Sequence, residues 1–196
     1  MTAGVGDAPT DETERHDGVT IGLHWCTLIL LLVSLGAILG LRLADGAATA
    51  ERALMIHRTV GVLLWLVTLG RLTWKVCLAR TVRLPAQMGQ VQRLAARANE
   101  AALYILLIAQ PITGVLQSVF RGRAFDLFGL SVPVIVARDR SLAHAFQSAH
   151  AISAGLLLAL VGLHVGAALF HHFVLRDGVM GTMWPTSAQR ARSARP

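Results

Sequence analysis

The sequence predicts an all-α fold, a four-helix transmembrane bundle, and three observations support it. Of the 196 residues, 54% are hydrophobic and only 15% are charged, whereas soluble domains contain about 25% charged residues. Several apolar stretches reach the length of about 20 residues that a membrane-spanning helix needs. Within these stretches, apolar and polar residues do not alternate with the period of two that marks a half-buried strand. This composition excludes a disordered chain and a disulfide-stapled secreted domain, and it argues against an ordinary soluble enzyme.

Three of the four predicted spans contain no Asp, Glu, Lys or Arg, and they cover residues 20–41, 101–120 and 141–175. The first two have the length of a membrane span. The third has 35 residues, so we expect its helix to project beyond one face of the membrane.

The second predicted span, from residue 53 to about residue 76, is interrupted by Arg58, Arg71 and Lys75. Its uncharged centre, residues 59–70, would by itself also fit a buried helix of a soluble protein. Because it lies between two clear spans, we interpret it as a membrane helix with charged ends and one functional arginine.

The net charge of +7 indicates a lipid partner and no nucleic acid, because the cations lie mostly between the apolar runs. In a four-helix arrangement, eleven of the 18 Lys and Arg residues lie on the side of both termini, and seven lie on the other. Cytoplasmic loops carry the excess of positive charge, so both termini are predicted to be cytoplasmic. Residues 1–19 are polar and lack the basic start of a signal peptide, and they are predicted to form a disordered tail.

Pairs of glycines four residues apart occur in the first and last spans. They are Gly36 with Gly40 and Gly162 with Gly166. Such spacing permits the close packing of helices or of a flat cofactor.

Seven of the eight histidines lie in or beside the predicted spans, where polar side chains are costly and usually functional. His150 and His164 are 14 residues apart, so they project from one helix face about 21 Å from each other. That distance suits two centres stacked through the membrane. His24 matches the depth of His164 near the cytoplasmic side, and His57 matches the depth of His150 on the other side.

Two facing imidazoles fit the axial positions of a b-type haem, which is held without covalent attachment. A structural zinc site would need four ligands at one depth. For any single histidine, the alternative is a hydrogen-bonded packing role. Arg71 lies 14 residues after His57 and so near the inner centre, where it could pair with a haem propionate or only extend its charge towards the interface. Arg58 could act in the same way at the outer centre.

Seven short motifs together resemble the bacterial cytochrome b561 family, from Thr20 to Pro185. They are Ile21-Gly-Leu-His24-Trp25, Met55-Ile-His57-Arg58, Ala109-Gln-Pro111-Ile-Thr-Gly114, Phe128-Gly-Leu, Val161-Gly-Leu-His164, Arg176-Asp177-Gly178 and Met183-Trp-Pro185.

The resemblance implies a bacterial inner-membrane protein with two haems b and four axial ligands, His24, His57, His150 and His164. Residues 20–178 would form the four-helix di-haem domain, and residues 179–196 a basic cytoplasmic tail. The chain is most similar to the short branch of the family that takes electrons from superoxide and gives them to ubiquinone. Two alternatives are a haem b electron-transfer subunit of a membrane dehydrogenase or hydrogenase complex, with a respiratory partner subunit, and a haem-free transporter or scaffold bundle.

Further residues acquire candidate roles from this resemblance. His171, seven residues after His164, could bond a quinone carbonyl and supply a proton, since imidazoles titrate near neutral pH; alternatively, it is an interfacial histidine. A cluster of outer cations could steer superoxide towards the outer haem, or it could simply be solvated. The cluster comprises Arg121, Arg123, Arg138 and Arg140.

Glu100 departs from the family pattern, because many relatives carry a histidine at this place in the third helix. The alignment rests on Tyr104 and Pro111. A carboxylate there could relay protons or pair with Arg97 three residues earlier, and the departure leaves a family-like quinone site in question.

Overall fold

The computed structural model describes residues 15–79 and 88–184, and four long helices dominate it. They are α1 (Gly18–Arg42), α2 (Ala47–Cys77), α3 (Gln90–Phe120) and α4 (Arg140–Phe170). All four are long and apolar enough to cross a membrane, which confirms the predicted all-α fold. Residues 1–14 and 185–196, most of the two predicted tails, lie outside the described residues.

The last span is as long as the sequence predicts. Helix α4 continues into a π-helical segment, His171–Leu175, which ends where Arg176 adopts a left-handed conformation with φ 52°. Helix and extension together contain 36 residues. A short 3-10 helix, Val179–Met183, follows.

The described chain ends meet at one end of the bundle. The Trp25 indole donates to the carbonyl of Met183 at 2.9 Å, and the Arg15 guanidinium donates to the carbonyl of Gly181 at 3.2 Å. We term this end the inner end and the opposite end the outer end, after the predicted orientation.

Asp17 caps α1 and joins it to α2. Its carboxylate accepts from the Thr20 hydroxyl at 2.7 Å and the Thr20 N–H at 2.9 Å, and from the Trp74 indole at 3.1 Å. Hydrogen bonds to a carboxylate favour its charged form. The bonds from Thr20, foremost that of its hydroxyl, hold the pKa of Asp17 below its ordinary value. Helix α1 thus begins two residues before the predicted boundary at residue 20.

A small hairpin at the outer end was not predicted. Strands β1 (Phe125–Leu127) and β2 (Leu130–Val132) pair antiparallel. The two residues of the turn, Phe128 and Gly129, both have positive φ, 54° and 75°, as tight hairpin turns require. The Phe128 N–H donates to the Thr59 hydroxyl at 2.9 Å, so the hairpin is fastened to α2.

The helices pack mainly in two pairs, α1 with α2 and α3 with α4, and α2 also contacts α3. In the described chain, α4 makes no comparable contact with α1 or α2. Four leucines, one from each helix, form the buried core at mid-depth. They are Leu31, Leu64, Leu107 and Leu157.

Many other large apolar side chains are exposed, for example Ile29, which is 58% exposed. Such a surface suits hydrocarbon rather than water.

The glycine pairs do not mediate close helix packing. A Cβ atom added to Gly36, Gly40, Gly162 or Gly166 would meet nothing within 4 Å among the described residues. Of the two readings that the spacing permits, close helix packing is not seen at these positions, and packing of a flat cofactor stays a prediction.

Candidate functional site

Four histidines form two facing pairs inside the bundle. His24 of α1 faces His164 of α4 near the inner end, with ring centroids 6.1 Å apart and ring planes at 55°. His57 of α2 faces His150 of α4 near the outer end, also at 6.1 Å and with planes at 87°. The structure brings together the two pairs that the sequence predicts, and it does so across the gap between α4 and the α1–α2 pair.

The leucine core separates the two pairs. Leu31 follows His24 by seven residues, and Leu64 follows His57 by seven, so each lies on the face of its helix that carries the histidine, about 10 Å along the axis. Leu157 lies halfway between His150 and His164. Two polar levels are thus separated by one apolar layer.

The spacing within each pair fits one metal ion between the two rings. An imidazole nitrogen binds a transition metal at about 2 Å, so two nitrogens bound in line to one ion lie about 4 Å apart. Because the centre of each ring lies beyond its nitrogen, ring centroids 6.1 Å apart, as in both pairs, suit this arrangement.

Among residues 15–79 and 88–184, no group of three or more His, Cys, Asp or Glu side chains could hold a metal. Two imidazoles at this spacing would suit the iron of a b haem, whose macrocycle would supply the remaining ligands.

Both outer histidines present the nitrogen that a haem would need. His57 Nδ1 lies 3.2 Å from the backbone oxygen and 2.9 Å from the hydroxyl oxygen of Ser34. His150 Nδ1 lies 3.0 Å from the backbone oxygen of Gln110 and 3.2 Å from the hydroxyl oxygen of Thr113. A carbonyl only accepts hydrogen bonds, so Nδ1 carries the proton in both rings. The Nε2 lone pair is thereby free to bind a metal.

The inner level contains two buried nitrogen atoms without partners. Within the described residues, neither His24 Nδ1 nor Arg71 Nε makes a hydrogen bond. Buried polar groups are rarely left unsatisfied, and an unpaired guanidinium nitrogen beside a histidine pair suits a carboxylate such as a haem propionate. The residues present at both levels therefore fit b-type haem.

Arg71 and Glu100 belong to one inner cluster. The Arg71 guanidinium lies 5.4 Å from the centre of the Tyr104 ring, and Lys75 Nζ lies 5.6 Å from the same ring centre. Glu100 forms an ion pair with Lys75. The sequence analysis suggested Arg97, on the same helix, as a partner of Glu100, but in the structure Glu100 pairs with Lys75 of α2.

The predicted outer cation cluster lines a cavity of about 370 Å³. Arg58 joins it, with its guanidinium 5.3 Å from the centre of the Phe125 ring. Among the described residues, Glu51 is the one carboxylate in the lining. The other four arginines of the lining are Arg121, Arg123, Arg138 and Arg140. The lining therefore carries an excess of positive side chains, which Asp126, close enough to act on Arg58, partly offsets.

His171 is paired with Asp177, a partner that the sequence analysis did not assign. His171 Nδ1 and Asp177 Oδ2 form a short contact, and Asp177 Oδ1 accepts from the Val179 N–H at 3.2 Å. The carboxylate thus links His171 to the 3-10 helix that contacts Trp25. The Arg176-Asp177-Gly178 motif was the sequence feature that could have indicated this pair. The contact itself depends on the left-handed turn at Arg176, which places Asp177 beside His171.

This fold and these histidine pairs define the class of helical membrane proteins that can hold metal cofactors between their helices. Residues 15–186 match the family model of prokaryotic cytochrome b561, and the chain belongs to that family. It is accordingly a bacterial multi-pass membrane protein that transfers electrons through b-type haem.

Curated relatives align along most of their length. The "Probable superoxide oxidase CybB" of Yersinia pestis is 27% identical over 172 residues, which cover 88% of this chain and 97% of the relative. "Cytochrome b561 homolog 2" of Escherichia coli (strain K12) is 31% identical over 178 residues, or 89% and 93% of the two chains. "Cytochrome b561 homolog 1" of the same organism is 27% identical over 173 residues, or 87% and 97%.

Proposed function

We propose that this protein holds two b haems and uses them to oxidise superoxide at the periplasmic face and to reduce ubiquinone at the cytoplasmic face. His24 with His164 and His57 with His150 are the proposed axial ligands. The observation that carries the proposal is the presence of two histidine pairs at the spacing of one metal ion, on opposite sides of a leucine layer. Haem, when bound, supplies one-electron redox chemistry at each level.

The propionate partners are proposed from the charges beside each pair. Arg71 has a buried Nε without a partner in the described chain, and Arg58 directly follows His57. Arg58 and Arg71 would each bind a haem carboxylate and so orient the cofactor, because a guanidinium pairs with a carboxylate in a fixed geometry.

The outer cavity supports superoxide as the electron donor. Superoxide is a small anion, and a cavity lined by five arginines and one glutamate attracts anions and raises their encounter rate. Arg58 connects this cavity to His57 along α2. A relative named as a probable superoxide oxidase agrees with this donor.

The inner end supports ubiquinone as the acceptor. Reduction of a quinone to a quinol by two superoxide ions takes up two protons and releases two molecules of oxygen. His171, held at Nδ1 by Asp177, would present Nε2 to a quinone carbonyl and pass on a proton from the cytoplasm. Both termini are proposed to be cytoplasmic, because the predicted inner side carries eleven of the 18 Lys and Arg residues.

The test is a two-step reaction of the purified oxidised protein without oxygen. Superoxide from a stock solution should reduce the haem, seen as a rise of the ferrous absorption bands, and a soluble ubiquinone analogue should then reverse the change. An equal amount of hydrogen peroxide in place of superoxide is the control.

Other outcomes identify the alternatives. Haem that responds to neither reagent, in a protein that copurifies with a dehydrogenase or hydrogenase, would indicate an electron-transfer subunit of that complex. A well-folded protein without a haem absorption band would indicate a transporter or scaffold bundle.

A further inference from the structure

The two histidine pairs differ in the hydrogen bonds at Nδ1. Each outer ring donates to a backbone carbonyl and lies near a hydroxyl group. For His57, Ser34 supplies both groups. For His150, Gln110 supplies the carbonyl and Thr113 supplies the hydroxyl. In the part of the chain that the structure describes, His24 Nδ1 at the inner level is buried without a partner. Both rings of the outer pair therefore have such a bond, whereas, within the described chain, His24 of the inner pair does not.

The outer acceptors are firmly held. Gln110 lies on α3 one residue before Pro111, and its side-chain oxygen accepts from the Ser153 hydroxyl of α4. Ser34 is 7% exposed, so water competes little for its hydrogen bond. The hydrogen-bond acceptors therefore lie on α1 and α3, whereas the proposed ligands, His57 and His150, lie on α2 and α4.

A hydrogen bond donated by Nδ1 increases the electron density of an imidazole and makes it a more basic metal ligand. A more basic ligand stabilises ferric iron more than ferrous iron, and it therefore lowers the reduction potential. Nearby positive charge acts in the opposite direction. Each level has one half-buried arginine, Arg58 or Arg71, whereas the four further arginines of the outer cavity are exposed and are screened by water and salt.

We propose that Ser34, Gln110 and Thr113 hold the reduction potential of the outer haem below that of the inner haem, so that electrons move inwards spontaneously. This inference rests on the proposed function, since it requires a haem at each histidine pair. The three residues are positioning residues, because they act through the imidazoles and not on the iron.

The test is a spectroscopic redox titration of the haem-loaded protein. The wild type should show two components of different potential. Ser34→Ala and Thr113→Val each remove one of the two acceptors of a ring, so each should raise the lower potential and leave the higher one unchanged. Loss of a partner behind a metal ligand changes metal binding by about tenfold or more. For the double variant we expect about a tenfold change in the ferric-to-ferrous ratio, which is about 59 mV for one electron.

Two control variants separate this role from a general effect on structure. Ser34→Thr keeps a hydroxyl and should retain the wild-type potentials. Thr68→Val removes a fully buried hydroxyl whose one bond within the described chain is to the Leu64 carbonyl of its own helix, and it should move neither component. If a variant does not retain the outer haem, the component that disappears must be the one of lower potential.

Equal potentials in the wild type, a shift of the higher component in Ser34→Ala or Thr113→Val, or an equal shift in Thr68→Val would overturn the inference. A haem-to-protein ratio near one would instead overturn the proposed function. A ratio near two with potentials that do not respond to the variants leaves the proposed function intact and rejects only this inference.

Discussion

Replacement of Gly114 by alanine should displace the proposed outer ligand His150 with little effect on the stability of the fold. Gly114 lies on α3 against the His150 ring, and an added Cβ would be 3.0 Å from Cε1 and 3.3 Å from Nδ1. Carbon atoms in ordinary contact are about 3.5–4.0 Å apart. The ring must therefore move away by about 0.5 Å. The same movement stretches the 3.0 Å hydrogen bond to Gln110 to about 3.5 Å, beyond ordinary hydrogen-bond length.

Two effects on stability nearly cancel in Gly114→Ala. Loss of one hydrogen bond costs about 1 kcal/mol, and alanine in place of glycine within a helix gains about 0.5–1 kcal/mol. The misplaced ligand has no such compensation, and loss of a supporting hydrogen bond weakens metal binding by about 10–100-fold. We expect retention of the outer haem to fall by about tenfold or more, while the midpoint of unfolding in detergent hardly changes.

The assay is the rate of haem transfer from the purified variant to excess apomyoglobin, together with its thermal unfolding. Gly155→Ala is the matched control, because Gly155 is an exposed residue of α4 and an added Cβ there meets nothing within 4 Å among the described residues. Wild-type haem retention in Gly114→Ala, or an equal loss in Gly155→Ala, would refute the reasoning.

Three further predictions concern the two levels and the two ends of the bundle. His57→Ala should remove one spectral haem component and His164→Ala the other; loss of the same component in both would show that the proposed pairing is wrong. Asp17 has a lowered pKa in the folded protein. Its ionised carboxylate therefore stabilises the fold fully at a pH above 3.8, the ordinary pKa of the group. This stabilisation is lost as the pH falls below 3.8 and through the lower pKa of the folded state. Asp17→Asn should reduce this acid sensitivity, measured as the difference in unfolding midpoint between pH 6 and pH 3. Charge reversal of Arg138 and Arg140 should slow haem reduction by superoxide and weaken its salt dependence, because steering is screened by ions, whereas stopped-flow reduction by a neutral quinol should hardly change. An unchanged superoxide rate would remove the steering role.

The spans and the depths of the histidines could be predicted because both depend on distances along a single helix. The 14-residue interval between His150 and His164 sets their face and spacing through helix geometry alone. Similar counting places His24 and His57 near opposite ends of their spans, and the pairs then follow from depth. The structure brings these rings to 6.1 Å in both pairs, although their role as ligands stays a prediction.

Features that depend on contacts between elements could not be predicted in the same way. Glu100 pairs with Lys75 of a neighbouring helix, a choice set by the rotation of α2 against α3. Spacing pointed to Gly36 and Gly40 for close packing of helices or of a flat cofactor, but the glycine that lies against a proposed ligand, His150, is Gly114. The outer hairpin has strands of only three residues each, too short for a periodic signal.

The central claim is that each chain holds one haem at each histidine pair, and the ratio of haem to protein tests it most directly. The pyridine haemochrome assay measures b haem, and quantitative amino-acid analysis of the same sample measures the chain. The account predicts a ratio near two for the wild type and near one for His57→Ala. A reproducible wild-type ratio near one, or near zero in a folded sample, would contradict it.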